Sequence, residues 1–304
     1  MSSVRGLWNR FNESDLARLV CINAWWLKII ALVAMTFDHI AMYLFEAPIV
    51  SSYETTLHII GRIAAPIFLF MVAEGARHTQ SRVKYILRLF LGNAVCLLLL
   101  VFMNSQFNSY IGFHLVGDIF PTMMYTVIII HCVEKCIRSW REEKHLHSFL
   151  VAATLIAVCV IPAILYEVLL NNQAVSAFGD MGPGATLGMQ LIKVFFPSIL
   201  SVEYTPLFII LGLLFYWLPN KSLKVVSLVA FAILARFPMG LDTGYFISYF
   251  GINQHYMFLA IPFICLYNGK KGFSGKYFFY VYYIVHPYII LLIGYLCGMR
   301  FMGS

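Results

Sequence analysis

Charge is what this sequence has least of. Only 12% of its 304 residues are Asp, Glu, Lys or Arg, about half the share in a soluble domain, and acidic residues are the scarcer sign, 14 against 21 basic. Absent too are period-two alternation, internal repeats, a low-complexity linker and a polar stretch long enough to fold as a soluble domain. Each absence excludes a class. With 61% hydrophobic residues and so little charge, the chain is neither a soluble globular enzyme nor disordered. Without alternation it is not an outer-membrane barrel. The net charge of +7 is the excess that orients an inner-membrane protein, so no nucleic-acid partner is expected. Cys132 and Cys136 share a helix face, but no further Cys or His completes a zinc set. No metal is therefore expected, and the seven cysteines read as reduced packing residues.

What is present is a series of long apolar runs with 26 Phe, 18 Tyr and 5 Trp, aromatic residues suited to anchoring two interfaces. The fold class expected is all-α, a polytopic helical bundle in the lipid bilayer. Spans are placed near 27–46, 57–75, 86–103, 119–135, 148–169, 204–218, 223–238, 254–268 and 277–297. With the N-terminus inside, 17 of the 21 Lys and Arg fall on inner segments, which supports about nine spans and an external C-terminus. Residues 1–26 are too polar for a cleavable signal peptide and carry Arg5, Arg10 and Arg18. They read as a cytoplasmic or interfacial segment, amphipathic over 8–20. Residues 27–297 form one transmembrane domain. Residues 170–203 make an outward loop, with an interfacial helix or re-entrant piece near 187–201.

Charges inside hydrocarbon are costly and are functional candidates by default. In the first span Asp38 and His39 lie in the outer half, pointing about 100° apart. In the second, His58 and Arg62 share a face, Gly61, Ala64 and Ala65 allow close helix approach, and Pro66 relaxes the helix. Arg62 is the expected partner of Asp38, either in a site or in a packing salt bridge. Glu74 ends that span, next to the basic run of Arg77, His78, Arg82, Lys84 and Arg88. That run either orients the protein or binds phosphates. His286 sits mid-membrane in the last span, before Pro287, which frees a backbone carbonyl.

The stretch from Lys28 through Asp38-His39, Gly61-Arg62, Pro66, Phe68, Glu74-Gly75, His78-Thr79, Tyr85 and Arg88-Leu89 resembles the opening of the TraX family. These are bacterial inner-membrane proteins named for the acetylase of conjugative F-pilin. Weaker patches are Asp242 and Gly244 with Tyr267, and Tyr283-x-x-His286, where Ile284 replaces the family's usual Pro. The resemblance implies a multi-pass protein of the bacterial plasma (inner) membrane. It implies an acetyltransferase that takes acetyl from cytosolic acetyl-CoA, as co-substrate, to an acceptor polypeptide or glycan. On chemical grounds His39 is the expected general base, with His286 a second base or the site of a transient acetyl-imidazole. Asp38 or Arg62 balances charge, and Arg62 is a candidate oxyanion stabiliser. Glu74, Arg77, His78, Arg82, Lys84 and Arg88 are the candidates for holding the co-substrate. Homo-oligomerisation is left open. The rival expectation is a proton-coupled transporter or channel using Asp38, His39, Glu74 and His286 as a relay.

Overall fold

The computed structural model describes residues 21–45, 47–107, 118–166, 194–200, 202, 205–236 and 253–297. Among these the chain is helical, with one isolated bridge between Ile22 and Tyr267 in place of any sheet. In chain order the helices are α1 (Ala24–Tyr43), α2 (Pro48–Gly61), α3 (Ala64–His78), α4 (Arg82–Phe107), α5 (Phe120–Arg141), α6 (His145–Tyr166), α7 (Thr205–Trp217), α8 (Lys221–Arg236), a 3₁₀ segment (Gln254–Ala260), α9 (Ile261–Leu266) and α10 (Lys276–Leu296).

Among the described residues, five stretches are long and apolar enough to cross a membrane: Ala24–Tyr43, Pro48–His78, Phe120–Arg141, His145–Leu165 and Tyr277–Leu296. This is a helical membrane protein. The apolar run expected at 86–103 lies within α4. The runs expected at 204–218 and 223–238 are helical but short, about 20 and 24 Å long, against a hydrocarbon core of about 30 Å. The run at 254–268 is divided between a 3₁₀ turn and the six-residue α9, which has Pro262 in its first turn. Hydropathy counts apolar residues and is blind to these breaks, so nine spans is more than the described helices support by length. The expected amphipathic segment at 8–20, the Asp242–Gly244 patch and most of the 170–203 loop lie outside the described residues.

The second expected span, 57–75, is helical but broken at Arg62 and Ile63. Pro66 is the cause. It has no N–H for the carbonyl of residue 62, and its ring crowds that carbonyl. The chain tightens there instead, with the Arg62 N–H on the carbonyls of His58 and Ile59 at 3.2 Å each. At the same point α2 meets α1 closely. A Cβ built on Gly61 would stand 2.4 Å from the Asp38 Cβ, so only glycine permits this crossing.

The core runs through α1, α3, α5, α7 and α8, with Leu27, Ile67, Leu69, Phe70, Tyr125 and Phe215 almost fully buried. α10 closes on α1 through Thr36. The Thr36 hydroxyl donates to the Leu32 carbonyl (2.8 Å), so it accepts from the Tyr282 hydroxyl at 2.7 Å. Basic segments converge at one end of the bundle, called here the basic end. Ala24 N–H bonds the Lys270 carbonyl (2.8 Å), and Lys221 donates to the Tyr267 carbonyl.

Candidate functional site

Asp38 and His39 are neighbours on α1 and therefore face different helices. Asp38 turns to α2. Its Oδ1 accepts from His58 Nδ1 at 2.8 Å and from an Arg62 guanidinium nitrogen at 3.2 Å. Arg62, at the break between α2 and α3, reaches Asp38 and, through its other nitrogen, Gln254 Oε1 at 3.1 Å. The intramembrane carboxylate is thus paired, which offsets its cost. His58 Nε2 lies 4.0 Å from Glu54, which is half exposed.

His39 turns instead to α10. Its Nδ1 is 2.6 Å from His286 Nε2, with the two rings nearly parallel at 8°. The protons on this pair follow from a backbone group. His286 Nδ1 lies 3.0 Å from the Tyr282 carbonyl, which can only accept. In neutral His286 that nitrogen therefore carries the proton, and Nε2 has the lone pair. His39 Nδ1 must then donate, which leaves the lone pair of neutral His39 on Nε2.

At the basic end the charged residues form two linked groups. Glu74 accepts from Arg77 and from Lys224 (3.1 Å), with His78 Nε2 at 3.8 Å. Arg77 also donates to the Phe215 and Tyr216 carbonyls at the end of α7, and Lys224 sits over the Phe70 ring. Arg82 pairs with Glu134 at 2.6 Å and donates to the Tyr216 hydroxyl at 2.7 Å, and that hydroxyl donates to Glu134 at 2.5 Å. Glu74, Arg77 and Arg82 therefore clamp α3, α4, α5, α7 and α8 together. Lys84 and His78 are exposed.

Arg88 is placed differently. With Lys28, Thr79 and Tyr85 it lines a cavity of about 220 Å³ between α1, α3, α4, α5 and α10. Among the described residues neither Lys28 nor Arg88 has a carboxylate partner within ion-pair distance; Lys28 lies over the Phe279 ring and Arg88 over Tyr85. The far wall of this cavity is made by Phe68 and Tyr283. The same two residues line a second chamber of about 10 Å³, which is also bounded by Asp38 and His39. Lys28 and His39 are eleven residues apart, three turns along one face of α1 and about 16 Å along its axis.

The structure therefore brings four of the expected residues together in two pairs, Asp38 with Arg62 and His39 with His286, on adjoining faces of α1, and sets Arg88 on a cavity that shares Phe68 and Tyr283 with the chamber beside His39. It leaves Glu74, Arg77 and Arg82 in helix-clamping ion pairs. Arg62 does not line the small chamber. Sequence reasoning missed Lys28 as a cavity residue, along with Tyr282, Gln254 and the buried Asp118, which caps α5 through a 2.8 Å bond to Phe120 N–H. The signal for Lys28 was available: Lys28, Leu32, Met35 and His39 recur at 4, 3 and 4 residues, one stripe of a helix. Nothing local marks Gln254.

A family model described as TraX protein matches residues 24–294. A curated relative from Dichelobacter nodosus, described as a probable fimbrial assembly protein FimC of serogroup H1, is 36% identical over 74 residues. That match takes in 24% of this chain and spans 30% of the relative's length. No solved structure matches the chain.

Proposed function

This chain belongs to the TraX family, and on that footing we propose that it is an acetyltransferase of the bacterial inner membrane, moving acetyl from cytosolic acetyl-CoA to an amine or hydroxyl acceptor at the outer half of the bilayer. The basic end faces the cytoplasm in this reading, by the rule that Lys and Arg collect on inner loops. The relative described as a fimbrial assembly protein favours a pilin-type polypeptide as acceptor; a cell-surface glycan is the other candidate.

What supports the reading is an imidazole with its lone pair on Nε2, lining a small chamber that shares Phe68 and Tyr283 with a cavity lined by Lys28 and Arg88, neither of which meets a carboxylate among the described residues. Lys28 and Arg88 meet the phosphates of the co-substrate, as ammonium and guanidinium groups do, and the apolar cavity beyond them suits a long thin thioester arm. The thioester supplies an activated acetyl carbonyl. His39 Nε2 takes the proton of the attacking acceptor as the bond from acceptor to carbonyl carbon forms. It returns that proton to the departing thiolate as the carbon–sulfur bond breaks, so no net proton is consumed. His286 holds His39 in the tautomer that can do this, and Asp38 with Arg62 keeps the surroundings neutral overall.

The direct test is transfer of labelled acetyl from acetyl-CoA by the purified protein, with membrane extracts of the host supplying the acceptor. Label appearing in a polypeptide or glycan is expected. A protein that neither transfers label nor gains thermal stability from CoA overturns the reading, since selective binding to the folded state must stabilise it. The chain Glu54, His58, Asp38 beside the His39–His286 pair is what favours the rival transporter. Proton-driven flux in proteoliposomes without acetyl-CoA would establish that one.

The tautomer argument makes its own prediction. His286→Leu removes the acceptor for His39 Nδ1 and is expected to lower kcat by about 10- to 100-fold, with KM for acetyl-CoA little changed. His286→Gln keeps an acceptor oxygen towards His39 and an N–H towards the Tyr282 carbonyl, and is expected to recover much of the loss. Equal activity in the two variants would show that orientation of His39 is not what His286 provides.

A further inference from the structure

The two chambers meet at a single aromatic wall. Phe68 on α3 and Tyr283 on α10 line both, their rings edge to face at 82° with centroids 6.3 Å apart. Tyr283 is fixed from behind. Its hydroxyl accepts from the Ile119 N–H at 3.0 Å, and its ring stands edge-on to Phe120 at 4.8 Å. Phe68 is half-buried and bounded on the His39 side by the small residues Ala64 and Ala65. The space beyond the wall, about 10 Å³, has room for roughly one water-sized group. A methyl group is larger than a water, so even a two-carbon acyl group enters only by a small shift of Phe68, and each further carbon requires a larger one. A longer chain reaching His39 must displace Phe68, because Tyr283 is held and the α1–α2 contact at Gly61 is already closed.

We infer that Phe68 is a specificity-determining residue. Opposed by Tyr283, it sets the acyl length that reaches His39, admitting two carbons and refusing four. This rests on the acyltransferase reading above. Each methylene that a tight apolar site cannot seat lowers transfer by about 10- to 200-fold, so two of them separate butyryl from acetyl by about 100-fold or more.

The experiment compares acetyl-CoA, propionyl-CoA and butyryl-CoA as donors for wild type, Phe68→Leu and Phe68→Ala. The quantity read is the butyryl-to-acetyl transfer ratio within each protein, which does not depend on how much of a variant is folded. In wild type the ratio is expected at about 0.01 or below. It is expected to rise at least about tenfold in Phe68→Ala, with Phe68→Leu and propionyl between. A ratio unchanged in both variants, or a wild type that uses butyryl-CoA as readily as acetyl-CoA, overturns the assignment of Phe68 and leaves the acyltransferase reading standing. A wild type that transfers no acyl group from any of the three overturns both.

Discussion

His39→Ala is expected to lower acetyl transfer from acetyl-CoA by about 10²- to 10⁴-fold, the range that a positioned general base supplies, in a protein that still inserts and folds. Folding survives because His39 is only partly buried and its neighbours keep other partners: His286 retains the Tyr282 carbonyl, and Asp38 retains His58 and Arg62. The cavity that begins at Lys28 and Arg88 is left intact, so KM for acetyl-CoA and the thermal shift produced by CoA should be close to wild type. The loss belongs in kcat. His39→Gln is the sharper companion, since an amide keeps hydrogen bonding but cannot take a proton at neutral pH. Wild-type turnover in either variant would place the base elsewhere. An equal loss of CoA binding would make His39 a structural residue.

Glu74→Ala is expected to cost about 3–5 kcal/mol of stability, the scale on which a buried ion pair loses when one partner goes. Its carboxylate faces Arg77 and Lys224, and the Lys224 side chain is only 7% exposed. Without Glu74 the ammonium is stranded against the Phe70 ring, while Arg77 keeps the α7 carbonyls. Removing the stranded charge should restore much of the loss, so Glu74→Ala combined with Lys224→Met is expected to be more stable than Glu74→Ala alone. Unfolding in detergent, followed by tryptophan fluorescence against denaturant, measures both. The same variants separate two roles for Glu74. As a clamp between α3 and α8 it changes stability while the KM for acetyl-CoA of the folded fraction stays put. As a co-substrate contact, the role expected from its position beside the basic run, it would shift KM. A stable Glu74→Ala with a raised KM would reverse the assignment made from the ion pairs.

The basic run shows why a charge pattern is a poor guide to a binding site. Arg77, Arg82, Lys84 and Arg88 are equivalent as sequence, four cations just beyond an apolar run. In the fold, Arg77 caps α7, Arg82 meets Glu134 on α5, Lys84 points to solvent, and Arg88 alone lines the cavity. The difference depends on which helices come to lie beside them, and Glu134 and Phe215 are 52 and 138 residues away from their partners. The pair Asp38–Arg62 was legible earlier, because two opposite charges at the same depth of neighbouring spans have few other partners in hydrocarbon. The break after Gly61 was half legible. Pro66 announced a disturbance, but its place one turn upstream follows from which carbonyl the ring crowds.

By itself the sequence determined that this is a helical membrane protein with ionisable groups held inside it. Hydrocarbon admits only backbone whose hydrogen bonds are closed within each segment, and it penalises every charge that lacks a purpose or a partner. The stripe of Lys28, Met35 and His39 was also written there, since 3.6 residues per turn is a local property. Tertiary structure alone decided that His39 meets His286, that a carbonyl on α10 sets which nitrogen is basic, and that Phe68 and Tyr283 line both the cavity of Lys28 and the small chamber of His39. Those facts depend on the packing of helices far apart in the chain, and in a bilayer that packing is chosen by close contact of small residues and by side-chain hydrogen bonds rather than by the hydropathy that reveals the spans.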